Sequence, residues 1–334
     1  MRAVVLLNPA ARGGRAGRAR PALAAALAES GVSAEIVETT GPGAAEAAAR
    51  EAAASADLVV AAGGDGTVHE VLNGVVGGEA SFGVVPLGTG NDYALALGVP
   101  AGLEAACAAL ATAEPFTVDV GRVEWTDTGG EAHVRHFANG LGAGFDAHAA
   151  RLAGDTKWLG GRTAYLAAIA RTLWAWRRPS LRVRVTVGDA AVFEDHLFLC
   201  EIANGHSVGG GFLLAPDARI DDGLLDACIV RHVSTGRALR LLPTTFSGAH
   251  VGAPEVRMER APRIVLEVLR ETVALQADGE SLSLGAVHLV AEAVPGALTV
   301  RAPGRAAVRE SVAPRGARPV TSARRESDAH TPRT

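Results

Sequence analysis

The sequence predicts a two-domain α/β protein, in which a doubly wound domain with a parallel sheet is followed by a mainly β, sandwich-like domain. Three observations support this prediction. The 334 residues exceed the usual length of one domain. Short β-branched runs alternate with alanine-rich helical stretches up to about Val123, a pattern typical of parallel strands joined by crossovers. Beyond about Glu124 the strands become longer and alternate in polarity, which is typical of a sandwich.

In the first domain, residues 1–123, each predicted strand is followed by a loop containing glycine, proline or threonine. Because the carboxyl ends of parallel strands share one edge of a sheet, these loops are predicted to lie together, where doubly wound folds bind ligands. The predicted strands are Val4 to Leu7, Ala34 to Val37, Leu58 to Ala61 and Phe82 to Val85.

The second domain, residues 124–302, contains runs with the period of strands and two with the period of helices. The strands include Leu181 to Val187, Val192 to Ala203 and Leu224 to Val230, and the helices are Arg162 to Trp176 and Ser234 to Ser247. Residues 303–334 contain Pro, Arg, Ser and Thr with hardly any large apolar residue. Burial there cannot offset the entropy of ordering, so this tail is predicted to be disordered.

Composition excludes several classes of function. A formal net charge of -4 and the lack of a basic stripe argue against a nucleic-acid partner. The three cysteines show no CxxC spacing, so neither a disulfide framework nor a zinc site is indicated, which fits a reducing cytoplasm. The apolar run Ala3 to Leu7 is too short for a signal peptide, and no stretch approaches the roughly 20 apolar residues of a membrane span. Membrane contact is expected to be peripheral, on the inner face.

The strongest single motif is Gly63-Gly64-Asp65-Gly66-Thr67, between a predicted strand and a predicted helix. Its glycines allow the backbone to approach a phosphate, and the helix N-terminus supplies N–H donors and a favourable dipole. Asp65 adds a carboxylate that can hold magnesium or order phosphate-bound water. A tight turn whose Asp merely caps the helix explains one such motif equally well.

Two further loops favour a phosphate site over ordinary turns. Pro86 to Asp92 follows the next predicted strand and is expected to lie beside the first motif. Asn8 to Gly14 leaves the first strand and places backbone amides, an amide side chain and the Arg12 cation at the same edge. Ordinary turns explain one such loop well and three poorly, so the sequence predicts a cradle for a polyphosphate.

The order of these motifs resembles the diacylglycerol kinase catalytic-domain family, which is shared with sphingosine and ceramide kinases and bacterial relatives. The matching segments are NPAARGG at 8–14, GGDGTVHEVLNG at 63–74, PLGTGNDYA at 86–94, NGLGAGFDA at 139–147, DDGLLD at 221–226 and DGE at 278–280. The similarity spans nearly all of residues 1–302. GGDGT alone is shared with NAD kinases and phosphofructokinases, so only the ordered set indicates the lipid kinase branch.

The resemblance implies an NAD kinase-like first domain, with ATP in the cleft between the domains and a magnesium ion bound with it. Asp65 would organise phosphate and metal, and Glu280 would be the general base. A second, structural magnesium would be held by the backbone carbonyls of Arg219 and Leu224 and by the Asp222 carboxylate. With the second loop included, the predicted nucleotide contacts are Asn8, Pro9, Ala10, Ala11, Arg12, Thr40, Gly64, Asp65, Gly66, Thr67, Val68, His69, Glu70, Thr89, Asn91 and Asp92.

Two of these residues also have plainer interpretations. His69 stands where such enzymes commonly carry Asn, which changes fine contacts near the nucleotide, and a residue on the helix surface is the alternative. Asp278-Gly279 is also an ordinary hairpin turn signal, with Glu280 as an exposed acid after it. The motif order favours the catalytic interpretation of Glu280.

Lipid recognition has a weaker signal. The segment from Lys157-Trp158 to Trp174 through Arg178 places Trp and basic residues at both ends of an apolar helix, a composition suited to the membrane interface. Such a helix more often packs on a sheet. The arginine-rich tail is a further candidate for weak contact with anionic lipid, although Asp and Glu are mixed into it.

The sequence therefore predicts a cytoplasmic enzyme that transfers the γ-phosphate of ATP to a lipid hydroxyl at a membrane surface. Diacylglycerol, giving phosphatidic acid, is the favoured acceptor by family frequency, and sphingoid, ceramide-type or other bacterial lipids stay open. The alternatives are an NAD kinase-like enzyme with a soluble acceptor and a catalytically silent lipid- or nucleotide-binding regulator. A homodimer also stays open.

Overall fold

A computed structural model of the protein describes residues 1–155, 169–174 and 181–304. The predicted disordered tail beyond Gly304 and most of the predicted helix Arg162 to Trp176 lie outside the described residues. The helices are α1 (Ala11–Arg18), α2 (Arg20–Glu29), α3 (Ala44–Ala53), α4 (Asp65–Val75), α5 (Asp92–Ala96), α6 (Leu103–Thr112), α7 (Phe145–Asp155), α8 (169–174) and α9 (Thr235–Leu241). The strands are β1 (Ala3–Leu7), β2 (Ala34–Glu38), β3 (Leu58–Gly63), β4 (Ser81–Pro86), β5 (Pro115–Asp127), β6 (Ala132–Phe137), β7 (Gly140–Gly144), β8 (Arg182–Val187), β9 (Ala190–Ala203), β10 (Leu225–Arg231), β11 (Val256–Ala261), β12 (Arg263–Arg270), β13 (Val273–Ala277) and β14 (Glu280–Arg301).

The first domain is a doubly wound unit whose four parallel strands lie in the order β4-β3-β1-β2. Strands β1 and β3 are buried along their whole length, because helices cover both faces of the sheet. This burial explains their continuous apolar sequences. The four strands predicted here are confirmed to within two residues at each end.

The second domain is built from antiparallel strands, which confirms the predicted change in architecture. Strands β11, β10, β9, β7, β13 and β14 are neighbours in that order, while β5, β6, β8 and β12 complete the second half. The long strand β14 pairs with β5 over most of its length and then runs parallel to β4 at Val300 and Phe82. All fourteen strands among the described residues therefore form one hydrogen-bonded sheet.

Two main hydrophobic cores lie on either side of a boundary within β5. Val118 and Val120 pack in the first core, whereas Val123 and Trp125 pack in the second. The chain then returns, since Leu298 and Val300 of β14 pack in the first core again. The last residues of the described chain thus tie the second domain to the first.

A third apolar cluster lies on the other face of the second-domain sheet, beneath α7, α8 and α9. Ile169 and Leu173 of α8 pack into this cluster, while the side chain of Trp174 is 81% exposed. The predicted helix Ser234 to Ser247 is divided, because a 3-10 helix at Leu242–Phe246, with Pro243 in its first turn, follows α9. Within the described part of the chain, no helix is long and apolar enough to cross a membrane.

Candidate functional site

The Gly63 to Thr67 motif forms the turn between β3 and the N-terminus of α4, as the sequence predicts. Gly64 is the N-cap and Asp65 is the first helical residue. A side chain at Gly63 would collide with that of Thr67, so only glycine lets the strand enter the helix this sharply. The first N–H groups of α4 have no partner within the helix, and they face the carboxyl edge of the parallel sheet.

The second predicted loop, Pro86 to Asp92, packs directly against the first, and its first residue, Pro86, is the last residue of β4. Leu87 donates its N–H to the carbonyl of Gly63 at 2.8 Å. A Cβ added to Gly88 would lie 2.2 Å from the Cα of Gly64, so the two backbones touch. The Asn91 side chain accepts from Gly88 N–H at 2.9 Å and donates to the Gly88 carbonyl at 3.0 Å, which closes the loop on itself. The two loops therefore form one rigid unit.

Asp65 joins these loops through its carboxylate. Its two oxygens accept the N–H groups of Asn91 and Asp92, both at 2.8 Å, at the start of α5. Burial, followed by the nearby Asp92 carboxylate, raises the pKa of Asp65 to about 7. Both oxygens are already held by backbone donors, so Asp65 fixes the shape of the phosphate loops. Its predicted role toward phosphate and metal stays a prediction.

Asp92 connects the two domains. Its carboxylate accepts N–H groups from Gly210 at 2.6 Å and Gly211 at 3.0 Å, in a second-domain loop. The residue is 5% exposed, and this burial raises the pKa of its carboxyl. Asp65 of the first motif therefore links loop to loop, and Asp92 of the second links domain to domain.

The third predicted loop, which begins at Asn8, joins the same edge of the sheet. Asn8 donates from Nδ2 to the Thr67 hydroxyl at 3.2 Å and accepts the Ala10 N–H at 3.0 Å. Arg12, with Gly13 and Gly14, has positive φ, at 51°, 65° and 84°. Glycine adopts this left-handed backbone readily, whereas Arg12 holds it at some cost, and its side chain is exposed at the rim. The three predicted loops are thus brought together.

Other predicted nucleotide contacts occupy more varied positions. Thr40 and Thr89 are exposed at the rim, whereas the Val68 side chain packs in the first core. Glu70 accepts the N–H groups of Gly43 at 2.9 Å and Ala45 at 3.0 Å, at the N-terminus of α3. Glu70 therefore fixes the loop that carries Thr40.

His69 is only 2% exposed, so its alternative placement on the helix surface is wrong. Arg135 donates from Nε to His69 Nε2 at 3.1 Å, so this ring nitrogen is the acceptor and the proton lies on Nδ1. Nδ1 then donates to Asp278 Oδ2 at 2.9 Å. Both ring nitrogens are used in joining α4 to the second domain.

Asp278 is the centre of this contact. Besides His69, its carboxylate accepts the N–H groups of Ala138 at 2.8 Å, Asn139 at 2.8 Å and Gly140 at 3.2 Å. Its side chain is 3% exposed. The predicted hairpin turn is present, with φ of 51° at Asp278 and 87° at Gly279. A turn of two residues with positive φ is the tightest link between antiparallel strands.

Glu280 follows this turn at the start of β14 and reaches the first domain. It is exposed, and a Cβ placed on Gly66 would collide with its Oε1. The second domain therefore presents a carboxylate directly over the glycine-rich turn of the first. Among the described residues, no hydrogen bond or ion pair occupies the Glu280 side chain, so its oxygens are available to a ligand.

The three predicted metal ligands lie in one loop before β10. Asp222 accepts the Leu224 N–H at 3.2 Å, and its other oxygen is 4.0 Å from Arg260 Nη1. One carboxylate with neighbouring backbone carbonyls is a set of hard oxygen donors, which suits magnesium. The loop chemistry fits the predicted ion, although its binding here stays a prediction.

Asp119, which the sequence did not single out, holds this loop in place. Its carboxylate accepts the Gly223 N–H at 2.7 Å and the Gly296 N–H at 2.8 Å. The residue is 4% exposed although it lies between the core residues Val118 and Val120. The sequence signal that could have revealed this role is an acidic residue within an apolar run of β5.

A row of buried polar groups on the second-domain sheet was also missed. Glu201, Gly142 and Gln276 pair in register across β9, β7 and β13. Asp146, from the start of α7, lies over Gly142, where any side chain would collide with it. Glu201 is fully buried and faces Asp146, and among the residues that the structure describes neither Glu201 oxygen has a hydrogen-bond donor. Two acceptors face each other, so a proton must lie between them for a hydrogen bond to form.

Glu201→Gln is expected to stabilise the protein increasingly as pH rises. Burial, with the Asp146 charge, raises the pKa of Glu201 well above 4.5, so the folded protein retains a proton that the unfolded chain releases. The stability from this group is complete below about pH 4.5 and is lost as pH rises toward the folded pKa. A glutamine donates to Asp146 at every pH. Urea unfolding at pH 6 and pH 9 measures the difference in free energy of unfolding between parent and variant. Glu35→Gln, at an exposed position, is the control. The same pH dependence of stability in parent and Glu201→Gln would contradict a proton shared between Glu201 and Asp146.

Comparisons with known proteins agree with this architecture. Residues 2–123 match the model of the diacylglycerol kinase catalytic domain. Residues 139–302 match the model of the YegS C-terminal NAD kinase beta sandwich-like domain. A diacylglycerol kinase of Mycobacterium tuberculosis is 36% identical over 304 residues, which cover 89% of this chain and 94% of that protein. A diacylglycerol kinase of Bacillus subtilis is 32% identical over 252 residues, covering 72% and 77%.

Solved structures share the fold at lower sequence identity. A diacylglycerol kinase from Bacillus anthracis has a TM-score of 0.65 and 23% identity, covering 90% of this chain and 96% of that chain. An NAD kinase from Archaeoglobus fulgidus in complex with ATP has a TM-score of 0.52 and 14% identity, covering 93% and 96%. The predicted NAD kinase-like fold is confirmed.

Proposed function

The chain belongs to the diacylglycerol kinase catalytic-domain family and is a lipid kinase, and on this premise we propose that it transfers the γ-phosphate of ATP to the free hydroxyl of diacylglycerol. The observation that carries the proposal is the position of Glu280 over Gly66. A carboxylate that has no hydrogen bond or ion pair within the described part of the chain thus faces the turn suited to phosphate. In the proposed complex, an acceptor hydroxyl would lie between the base and the nucleotide.

The three loops at the edge of the parallel sheet are proposed to bind the ATP phosphates. The free N–H groups at the start of α4 and the glycine backbones offer donors, and Arg12 offers a cation at the rim. The predicted contacts Thr40 and Thr89 lie at the same rim. Asp65, Asn91 and Asp92 act less directly, since their side chains hold the loops in shape.

Glu280 is proposed to act as the general base. Phosphoryl transfer has a loose transition state, so the enzyme chiefly aligns the alcohol with the γ-phosphate and accepts the proton late. The lipid oxygen attacks phosphorus, the bond to the ADP oxygen breaks, and the hydroxyl proton passes to Glu280.

Magnesium is proposed to serve in two places. With ATP it would supply positive charge against the phosphate oxygens as charge develops on them. In the loop before β10, Asp222 and the carbonyls of Arg219 and Leu224 would hold a structural ion. Asp119 fixes this loop to the first-domain end of β5, so the ion would stabilise the junction of the domains.

Asp222→Ala is expected to abolish the stabilisation of the protein by magnesium and to lower its activity. An ion that binds only the folded state raises its stability by about 2.7 kcal/mol at 100 times its Kd. Thermal unfolding with and without Mg²⁺ measures this in parent and variant. Asp217→Ala is the control, because it removes an exposed acid from the same loop. A magnesium shift that is equal in parent and Asp222→Ala would show that the ion binds elsewhere.

The proposal is tested with purified protein, MgATP and a panel of acceptors. Mixed micelles contain diacylglycerol, ceramide or a sphingoid base, NAD is offered in solution, and products are identified by mass. Phosphatidic acid formed faster than any other product supports the assignment. Preferred phosphorylation of ceramide or a sphingoid base would move the enzyme to that lipid class. NADP as the main product, or ATP binding without transfer, would contradict the assignment of a lipid acceptor.

The place of action is also a proposal. The acceptor is a lipid, so the enzyme must meet a membrane surface, and we propose a cytoplasmic protein that acts peripherally on the inner face. The exposed Trp174 is compatible with interfacial contact. The other residues predicted for that contact, Lys157, Trp158 and Trp176 to Arg178, lie outside the described residues.

A further inference from the structure

The side chain of Gln276 bridges the turn that carries Glu280 to the start of α7. Its Oε1 accepts the N–H of Gly279 at 2.7 Å, and Gly279 immediately precedes Glu280. Its Nε2 donates to Asp146 Oδ2 at 3.2 Å. Gln276 is 6% exposed; its contact with Asp146 is buried, and its contact with Gly279 is partly buried. This buried amide lies one residue before the strand end at Ala277, which pairs with Glu280.

The orientation of this amide is fixed by its partners. A backbone N–H can only donate, so the carbonyl oxygen of Gln276 must face Gly279. The NH₂ group then points to Asp146 and needs an acceptor there. Asp146 supplies this acceptor through Oδ2, at the start of α7. A continuous chain of hydrogen bonds thus runs from the sheet interior to the residue before Glu280.

The turn is held from two sides. On one side, the Asp278 carboxylate is bound by the backbone amides of Ala138 to Gly140 and by His69. On the other side, Gln276 holds Gly279. Each contact restrains one of the two turn residues. Together they set the direction in which β14 begins and therefore where the Glu280 carboxylate lies.

We propose that Gln276 is a positioning residue for Glu280, and that Asp146 orients it for this task. The inference rests on the proposed role of Glu280 as base. In the described structure, no side-chain hydrogen bond joins Gln276 to any of the three loops proposed to bind phosphate, so its effect must pass through the turn. If the hydrogen bonds of Gln276 are lost, Gly279 is released while Asp278 stays anchored. The Glu280 side chain then becomes more mobile, whereas the phosphate loops keep their positions.

Gln276→Met tests this inference, because methionine has a similar length and cannot replace either hydrogen bond. We expect kcat to fall by about 10- to 100-fold, since a displacement of about 1 Å can cost this much. The KM for ATP is expected to stay within about twofold, because the loops that bind phosphate are not moved. A fall in thermal stability with parental kcat would show a purely structural role and overturn the proposal.

Gln276→Glu supplies a second test that does not depend on the folding of the methionine variant. Its carboxyl still accepts the Gly279 N–H, but it contacts Asp146 favourably only when a proton lies between them. Activity relative to the parent should therefore rise as pH falls from 9 to 6. A ratio that does not change with pH would contradict the inferred contact with Asp146.

Glu255→Ala is the matched control. It removes a tertiary ion pair of the same domain, in which Arg237 contacts both Glu255 oxygens at 2.9 and 2.8 Å, remote from the turn. Stability should fall while kcat stays parental. The double variant Gln276→Met with Glu280→Gln should be no slower than Glu280→Gln alone, because Gln276 acts through the base. If the kcat losses of the two single variants multiply in the double variant, the inference is overturned. Parental turnover of Glu280→Gln alone would instead refute the role of Glu280 as base.

Discussion

Glu280→Gln is expected to lower kcat by about 10²- to 10⁴-fold, the range for loss of a general base. The glutamine has the same shape but cannot take the hydroxyl proton. Glu280 is exposed and contacts no charged partner in the described part of the protein, so folding should be unaffected. Free energies of unfolding should agree within about 0.5 kcal/mol. Steady-state turnover with MgATP and micellar diacylglycerol, together with ATP binding by calorimetry, measures both parts of the expectation.

Glu292→Gln provides the control for this experiment. Glu292 lies on the same strand, β14, where its partly exposed side chain contacts Arg122 and Arg263. The same change of charge there should leave turnover at the parental value. If Glu280→Gln turns over as fast as this control, Glu280 is not the base and another acceptor must be sought.

The sequence was sufficient to predict how the phosphate loops come together. Parallel strands deliver their carboxyl ends to one edge, so the loops after β1, β3 and β4 meet whatever side chains they carry. Gly64 and Gly88 are required by the close approach of two backbones, whereas a Cβ at Gly63, Gly66 or Gly90 would collide with a neighbouring side chain. Motif spacing reveals such glycines directly. Local chemistry and topology thus agree in this half of the site.

The partners of buried polar side chains could not be predicted in this way. His69 and Asp278 are 209 residues apart, and nothing near either residue specifies the other. The same holds for Gln276 and Asp146, which are 130 residues apart. Glu70 is a predicted nucleotide contact and yet holds the N-terminus of α3. A residue within a predicted binding motif can therefore serve the loops indirectly, which only the three-dimensional arrangement reveals.

The second large effect is expected from Gly88→Ala. The added methyl group would lie 2.2 Å from the Cα of Gly64 and 2.7 Å from Oδ1 of Asn91. Backbone atoms cannot rotate away as the end of a flexible side chain does, so the first and second loops must separate. Overpacking of this kind costs about 1–3 kcal/mol of stability. Because both loops are proposed to bind the phosphates, a shift of about 1 Å should lower kcat/KM for ATP by about 100-fold.

Gly236→Ala shows whether this effect belongs to the contact between the loops or to glycine replacement in general. Gly236 lies in α9 with nothing within 4 Å of an added Cβ, and its φ is ordinary. Alanine favours helix over glycine there, so stability should stay equal or rise slightly. Equal activity in Gly88→Ala and Gly236→Ala would mean that the binding and use of ATP do not depend on the close approach of Gly64 and Gly88. A loss confined to Gly88→Ala, with KM for ATP raised, is the result that the paired loops require.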